Sequence, residues 1–268
     1  MAGETEPLPL SLPEAMLMAS FFAIAFYNTI EILVLVFTTF KHWRGRYFWA
    51  IITAAVGIPT HAMAFLLRYY RIAPNVAMSA FSIVGWCLMV TGQSVVLWTR
   101  LHLMVYNPRT IRLVLIMIIT NACILHIPES VMFVLCNLGN PGPFLTAFDI
   151  YERIEIIVFS LQESIISGLF LYEGYHSFKP VIALRGAEGR NFLRHLVVLF
   201  LINVLLDSTL IVLEYTNNFD IETACKPFIY SIKLKVEFII LNKLLAFTRT
   251  MPLGTVSCTA VPDAVSQT

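Results

Sequence analysis

At 268 residues, 58% of them hydrophobic and only 13% charged, the chain lies far below the roughly 25% charge of a soluble domain and is read as a membrane protein. A formal net charge of +1 says little by itself; nothing in the chain suggests nucleic acid, and none is expected as a partner. What remains is a chain whose surroundings are lipid.

Crossing the hydrocarbon core takes about 20 apolar residues, and seven stretches qualify, at 15–40, 47–67, 76–99, 113–135, 147–172, 196–216 and 227–247. The expected fold is all-α: a polytopic, seven-transmembrane-helix bundle over residues 1–249, then a disordered cytosolic tail at 250–268, rich in Pro, Thr, Ser and Val. The segment Met1–Glu14 is acidic and has no Lys or Arg, so it lacks the basic start of a cleaved leader and the first span is read as an anchor. The odd-numbered loops carry ten basic residues: Lys41, Arg44, Arg46; Arg100, Arg109, Arg112; and Lys179, Arg185, Arg190, Arg194. The even-numbered loops carry three, Arg68, Arg71 and Lys226. The positive-inside rule then puts the N-terminus outside or lumenal and the C-terminus in the cytosol. The longest connection expected is the cytosolic loop Glu173–His195. Cys136 and Cys225 fall near the same outer face, and whether they are bridged or free stays open.

Within these apolar runs stand ionisable residues that lipid would penalise by a few kcal/mol each, roughly. At about 100° per residue, Asn203, Asp207 and Glu214 share one face of the sixth span. In the fifth, Glu152, Glu155 and Glu163 follow at intervals of three and eight, with Gln162 beside the last. The seventh offers Lys233 and Glu237, the first Tyr27, Asn28 and Glu31, the third Thr91, Gln93, Ser94 and Trp98, and the fourth His126 and Glu129. A carboxyl buried without a partner keeps its proton and can donate it. The competing reading is structural: Lys233 or Lys235 pairs with Glu214 or Glu237 across neighbouring helices. Asp149, Glu152, Arg153 and Glu155 read as a solvated rim, and His61 and His126 as hydrogen-bonded bundle residues. The sequence carries no aspartate-rich diphosphate cluster, Gly-rich phosphate loop, nucleophile elbow or His/Cys metal spacing. No metal and no cofactor is expected.

Tyr27-Asn28-Thr29-Ile30-Glu31, Arg44-Gly45-Arg46-Tyr47-Phe48-Trp49, the run from Gly92 to His102, Gln162 to Gly168 and Leu213-Glu214-Tyr215 resemble a fungal family of seven-span integral membrane proteins. Most of its members have no known function, but it includes membrane-bound terpene cyclases of ascochlorin- and ascofuranone-type meroterpenoid pathways. The resemblance implies acid-initiated, metal-free cyclisation of a lipophilic prenylated alkene or epoxide, in the endoplasmic reticulum, with membrane lipids as the other partner. Such chemistry needs a buried acid, for which Glu31, Glu163, Asp207, Glu214 and Glu237 are the candidates. It also needs aromatic faces for a passing cation: Tyr27, Trp86, Trp98 and Phe159 are the candidate substrate-binding rings, with Lys233 tuning a neighbouring acid. Two other classes compete. A heptahelical receptor would place Arg100 at the cytosolic end of the third span, although the acid before it and an Asn-Pro-X-X-Tyr in the seventh span are missing. A proton-coupled carrier would use the same carboxylates as a relay.

Overall fold

A computed structural model describes residues 12–40, 45–69, 72, 74–102, 104–105, 107–137, 142–185, 187–216 and 219–249. These form seven helices: α1 (Leu12–Thr39), α2 (Arg46–Tyr69), α3 (Asn75–Leu101), α4 (Pro108–Asn137), α5 (Gly142–Arg185), α6 (Ala187–Tyr215) and α7 (Phe219–Arg249). The expected tail at 250–268 lies outside the described residues.

The first six helices are long and apolar enough to cross a membrane, which makes the chain a polytopic helical membrane protein. The seventh falls short because Lys226, Lys233, Lys235 and Glu237 crowd its apolar run. Two expected boundaries change. The loop Glu173–His195 is helical almost throughout, since α5 runs to Arg185 and α6 resumes at Ala187. The last helix starts at Phe219, eight residues before the expected span, and so takes in Glu222 and Lys226.

Successive helices pack side by side and α7 closes the ring against α1 and α6, while α3 touches α2, α4, α5 and α7. The tightest seam joins α2 and α3. A Cβ at Gly85 would stand 2.4 Å from the backbone nitrogen of His61, and one at Gly57 2.5 Å from that of Met89. Only glycine lets these backbones approach, the usual device where lipid supplies no hydrophobic drive between helices. Outward faces of α4 and α6 present Leu113, Ile116, Ile127, Leu201 and Leu205, whereas the interior combines apolar clusters with nearly all of the described chain's buried charges. That arrangement is what a bilayer solvent demands.

Pro128 interrupts α4 and has no N–H to give the carbonyl of Ile124, four residues back. The Tyr151 hydroxyl of α5 donates to that carbonyl at 2.6 Å. The break in α4 is thereby sealed by its neighbour.

Candidate functional site

The polar interior is organised by α7. Glu222, Lys226, Lys233 and Glu237 fall within roughly 60° of one another at 100° per residue, a stripe about 22 Å long, and all four are buried. Lys226 reaches Glu152 of α5 at 2.6 Å and Glu222 at 2.5 Å, with Glu214 of α6 at 4.0 Å. Arg153 also lies 4.0 Å from Glu214. Farther along, Lys233 binds Glu163 at 2.9 Å and also Asp207. Glu237 pairs with Arg100 of α3 and accepts from the Asn203 amide at 2.8 Å. The Arg100 guanidinium lies over the Phe170 ring, 4.1 Å from its centroid.

A second polar group sits between α3, α4 and α5. His126 Nδ1 is 2.8 Å from Glu155 Oε1, its Nε2 is 3.0 Å from Thr91 Oγ1, and its ring stacks on Phe159. Trp86 donates its indole N–H to Glu155 at 3.3 Å. Ligand-capable atoms of His126, Glu129 and Glu155 all lie within 4.8 Å of one another, as do those of Glu152, Glu214 and Glu222.

Between these groups opens a cleft with about 40 Å³ accessible to the centres of water molecules, room for roughly three waters. Its polar wall is Glu129, Glu152, Lys226, His61 and Ser82, and its apolar wall is Trp86, Phe65, Phe133 and Phe148. His61 is fixed by the Ser82 carbonyl, 3.1 Å from its Nδ1.

The candidates are therefore distributed unevenly. Trp86 lines the cleft, and Phe159 stacks on His126, outside the cleft's lining. Glu214 stands one carboxylate behind the wall, next to Lys226. Glu163, Asp207 and Lys233 form their own ion triad, and Glu237 is committed to Arg100. Glu31 and Lys235 pair at 2.6 Å on the outer flank, each about one-third exposed. Tyr27 is 66% exposed and faces away from the interior. Trp98 belongs to a separate apolar cluster, its N–H given to the Ile111 carbonyl at 3.0 Å.

Two expectations are corrected, and one open question is answered. Glu152 and Glu155 are buried core residues and no solvated rim; Lys226 stands against the first, and His126 and Trp86 against the second. The pairing of Lys233 or Lys235 with Glu214 or Glu237 is replaced by Lys226 for the first acid and Arg100 for the second. Cys136 and Cys225 are free thiols. Sequence reasoning missed Glu222, Lys226 and Arg100 as interior groups. The signal was present in the spacing of 222, 226, 233 and 237, but Lys226 and Arg100 had been assigned to loops.

No curated protein and no solved structure matches the chain. A family model described as a domain of unknown function (DUF7703) matches residues 5–261, nearly the whole of this charged-core helical assembly, and the chain belongs to that family.

Proposed function

We propose that this protein is a membrane-bound acid catalyst of the terpene-cyclase type, acting on a lipophilic prenylated alkene or epoxide. One observation carries the reading: Glu152 and Lys226 stand in the wall of the aromatic cleft, and the cluster they belong to holds more carboxyls than cations. Glu152, Glu214 and Glu222 gather around Lys226, with Arg153 at the edge. A net negative charge in such an interior costs several kcal/mol, roughly, unless a proton compensates it. That proton is available at Glu152, which faces the cleft.

In the proposed reaction Glu152 protonates the epoxide oxygen, the C–O bond breaks, and the neighbouring alkene donates its π pair to close the ring. The faces of Trp86, Phe133 and Phe148 stabilise the cation, and loss of a C–H proton to the carboxylate ends the sequence. The reaction is an isomerisation and consumes no co-reactant. The cleft as it stands admits water only, so substrate binding requires the helices around Trp86 and Phe133 to part. The endoplasmic reticulum, a spanning α7 and a lumenal N-terminus belong to the same proposal. They are supported by the resemblance, by the length of α7 and by the loop charges.

The test uses microsomes fed a prenylated phenol epoxide. Glu152→Gln and Glu214→Gln should lower cyclisation by about 10²- to 10⁴-fold, while Glu31→Gln, on the outer flank, retains the wild-type rate. Unchanged rates in both of the first two variants, with normal accumulation, would sink the assignment. A second reading, a proton-coupled carrier, is favoured by the continuous stripe on α7. It gains if wild type cyclises nothing yet acidifies proteoliposomes loaded with a pH-sensitive dye. The receptor reading rests on Arg100, which stands in the last turn of α3 paired with Glu237.

A further inference from the structure

Two carboxylate clusters flank the cleft, and they are neutralised differently. In the first an ammonium group occupies the centre: Lys226 Nζ sits 2.6 Å from Glu152 and 2.5 Å from Glu222. The second, His126, Glu129 and Glu155, has no lysine or arginine paired with it among the described residues. All three side chains are more than nine-tenths buried. Glu155 is wholly enclosed and meets the Glu129 carboxyl, and His126 Nδ1, which has no well-aligned hydrogen bond, lies 2.8 Å from Glu155 Oε1. Glu129 projects into the cleft, where water can approach.

We propose that His126, Glu129 and Glu155 bind one divalent first-row metal ion, such as Zn²⁺ or Mn²⁺. The donor set is one imidazole nitrogen and two carboxylates, with the cleft side open for water, the pattern of three protein ligands and an exchangeable position. His126 and Glu129 are three residues apart on α4 and so share a face, and Glu155 meets them from α5. Ligand atoms already within 4.8 Å of one another need only modest side-chain rotation to reach bonds of about 2.0–2.2 Å.

The surroundings fit a ligand histidine. If Nε2–H donates to Thr91 Oγ1, at 3.0 Å, the Nδ1 lone pair faces the Glu155 carboxylate, which is the tautomer a metal ion between them would select. Phe159 stacks on the ring and Trp86 anchors Glu155, which are the outer-shell restraints that hold metal ligands in place. The competing arrangement puts a proton on Nδ1, so that His126 simply donates to Glu155 Oε1 and accepts at Nε2 from the Thr91 hydroxyl.

The test is made on full-length protein purified in detergent through a tag without histidines, stripped with chelator and reloaded with Zn²⁺ or Mn²⁺. Elemental analysis should find about one ion per chain, and Co²⁺ should give a visible d–d absorption that Zn²⁺ abolishes. Glu129→Gln should lose the ion. Thr91→Val, which keeps side-chain volume, should weaken binding by about 10- to 100-fold. Glu214→Gln, in the lysine-filled cluster, should bind as wild type does. The metal content is read without any cyclisation assay, so this inference and the proposed activity fail independently. Wild type that takes up no more metal than Glu129→Gln, with no Co²⁺ absorption, would overturn the site and leave a hydrogen-bonded His126–Glu155 pair.

Discussion

At the residue scale, the most constrained group is Lys233, which is fully buried between Glu163 and Asp207. Removing one partner from a buried ion pair typically costs about 3–5 kcal/mol, because the other charge is left in a low-dielectric interior. Lys233→Met alone should therefore sharply lower the thermal stability of the detergent-solubilised protein. Combining it with Glu163→Gln and Asp207→Asn removes the stranded charges and should recover most of the loss. Recovery of stability without recovery of activity would mark the triad as functional, and recovery of both would mark it as structural. A smaller effect is expected at Tyr151. Tyr151→Phe leaves the Ile124 carbonyl, orphaned by Pro128, without its donor, at a cost of about 1–3 kcal/mol. Differential scanning fluorimetry of the two proteins measures it directly.

At the scale of elements, α2 and α3 are joined by backbone approach and α7 by charge. Gly85→Val would press a branched side chain into the backbone of His61, and overpacking of this kind costs about 1–3 kcal/mol or more. The variant should accumulate poorly in membranes, and a Val at Gly168, which has open space beside it, should be tolerated. Immunoblots of membrane fractions compare the two. Helix α7 shows why hydropathy alone understates an element. Its charges shorten the apolar run that a sequence reading detects, yet its inward stripe is buried because α3, α5 and α6 each bring the opposite charge to it. The outer flank carries Lys235, paired with Glu31 of α1.

At the scale of the whole molecule, orientation rests on loop charges, and the fold alters which charges qualify. Lys226 leaves the even-numbered loops and Arg100 leaves the odd-numbered ones, since both are buried in ion pairs. The asymmetry survives at the helix ends: Lys41, Arg44, Arg46, Arg109, Arg112, Lys179, Arg185, Arg190 and Arg194 flank the first, third and fifth connections, against Arg68 and Arg71 at the second. A tag after Thr268 should be reachable by protease in sealed microsomes, and a tag before Met1 should be protected. The reverse pattern would invert the orientation. The free state of Cys136 and Cys225 gives a further expectation: both should react with maleimide in denatured, unreduced protein, and mass spectrometry of the peptides detects it.

How much of this was legible in the residues themselves depends on how far apart the cooperating groups lie. Membrane class, the number of helices and the inward set of Asn203, Asp207 and Glu214 follow from apolar content and the 3.6-residue period, which are properties of one helix at a time. The burial of Glu163 and Glu237 was equally plain, since a charge inside an apolar run has nowhere else to go. Which base meets which acid was not. Glu214 meets Lys226 rather than Lys233, and Glu237 meets Arg100, sites separated by more than a hundred residues in the second case. Those partnerships are set by which helices adjoin and at what relative height, and no local pattern encodes either. For the same reason Tyr27, placed inside by its position in an apolar span, proved to face outward, and the group of His126, Glu129 and Glu155 appeared only when α4 and α5 were brought together. Local periodicity determined the faces; the packing of one helix against another decided the chemistry, because electrostatic compensation in a membrane interior is a contact between elements distant in sequence.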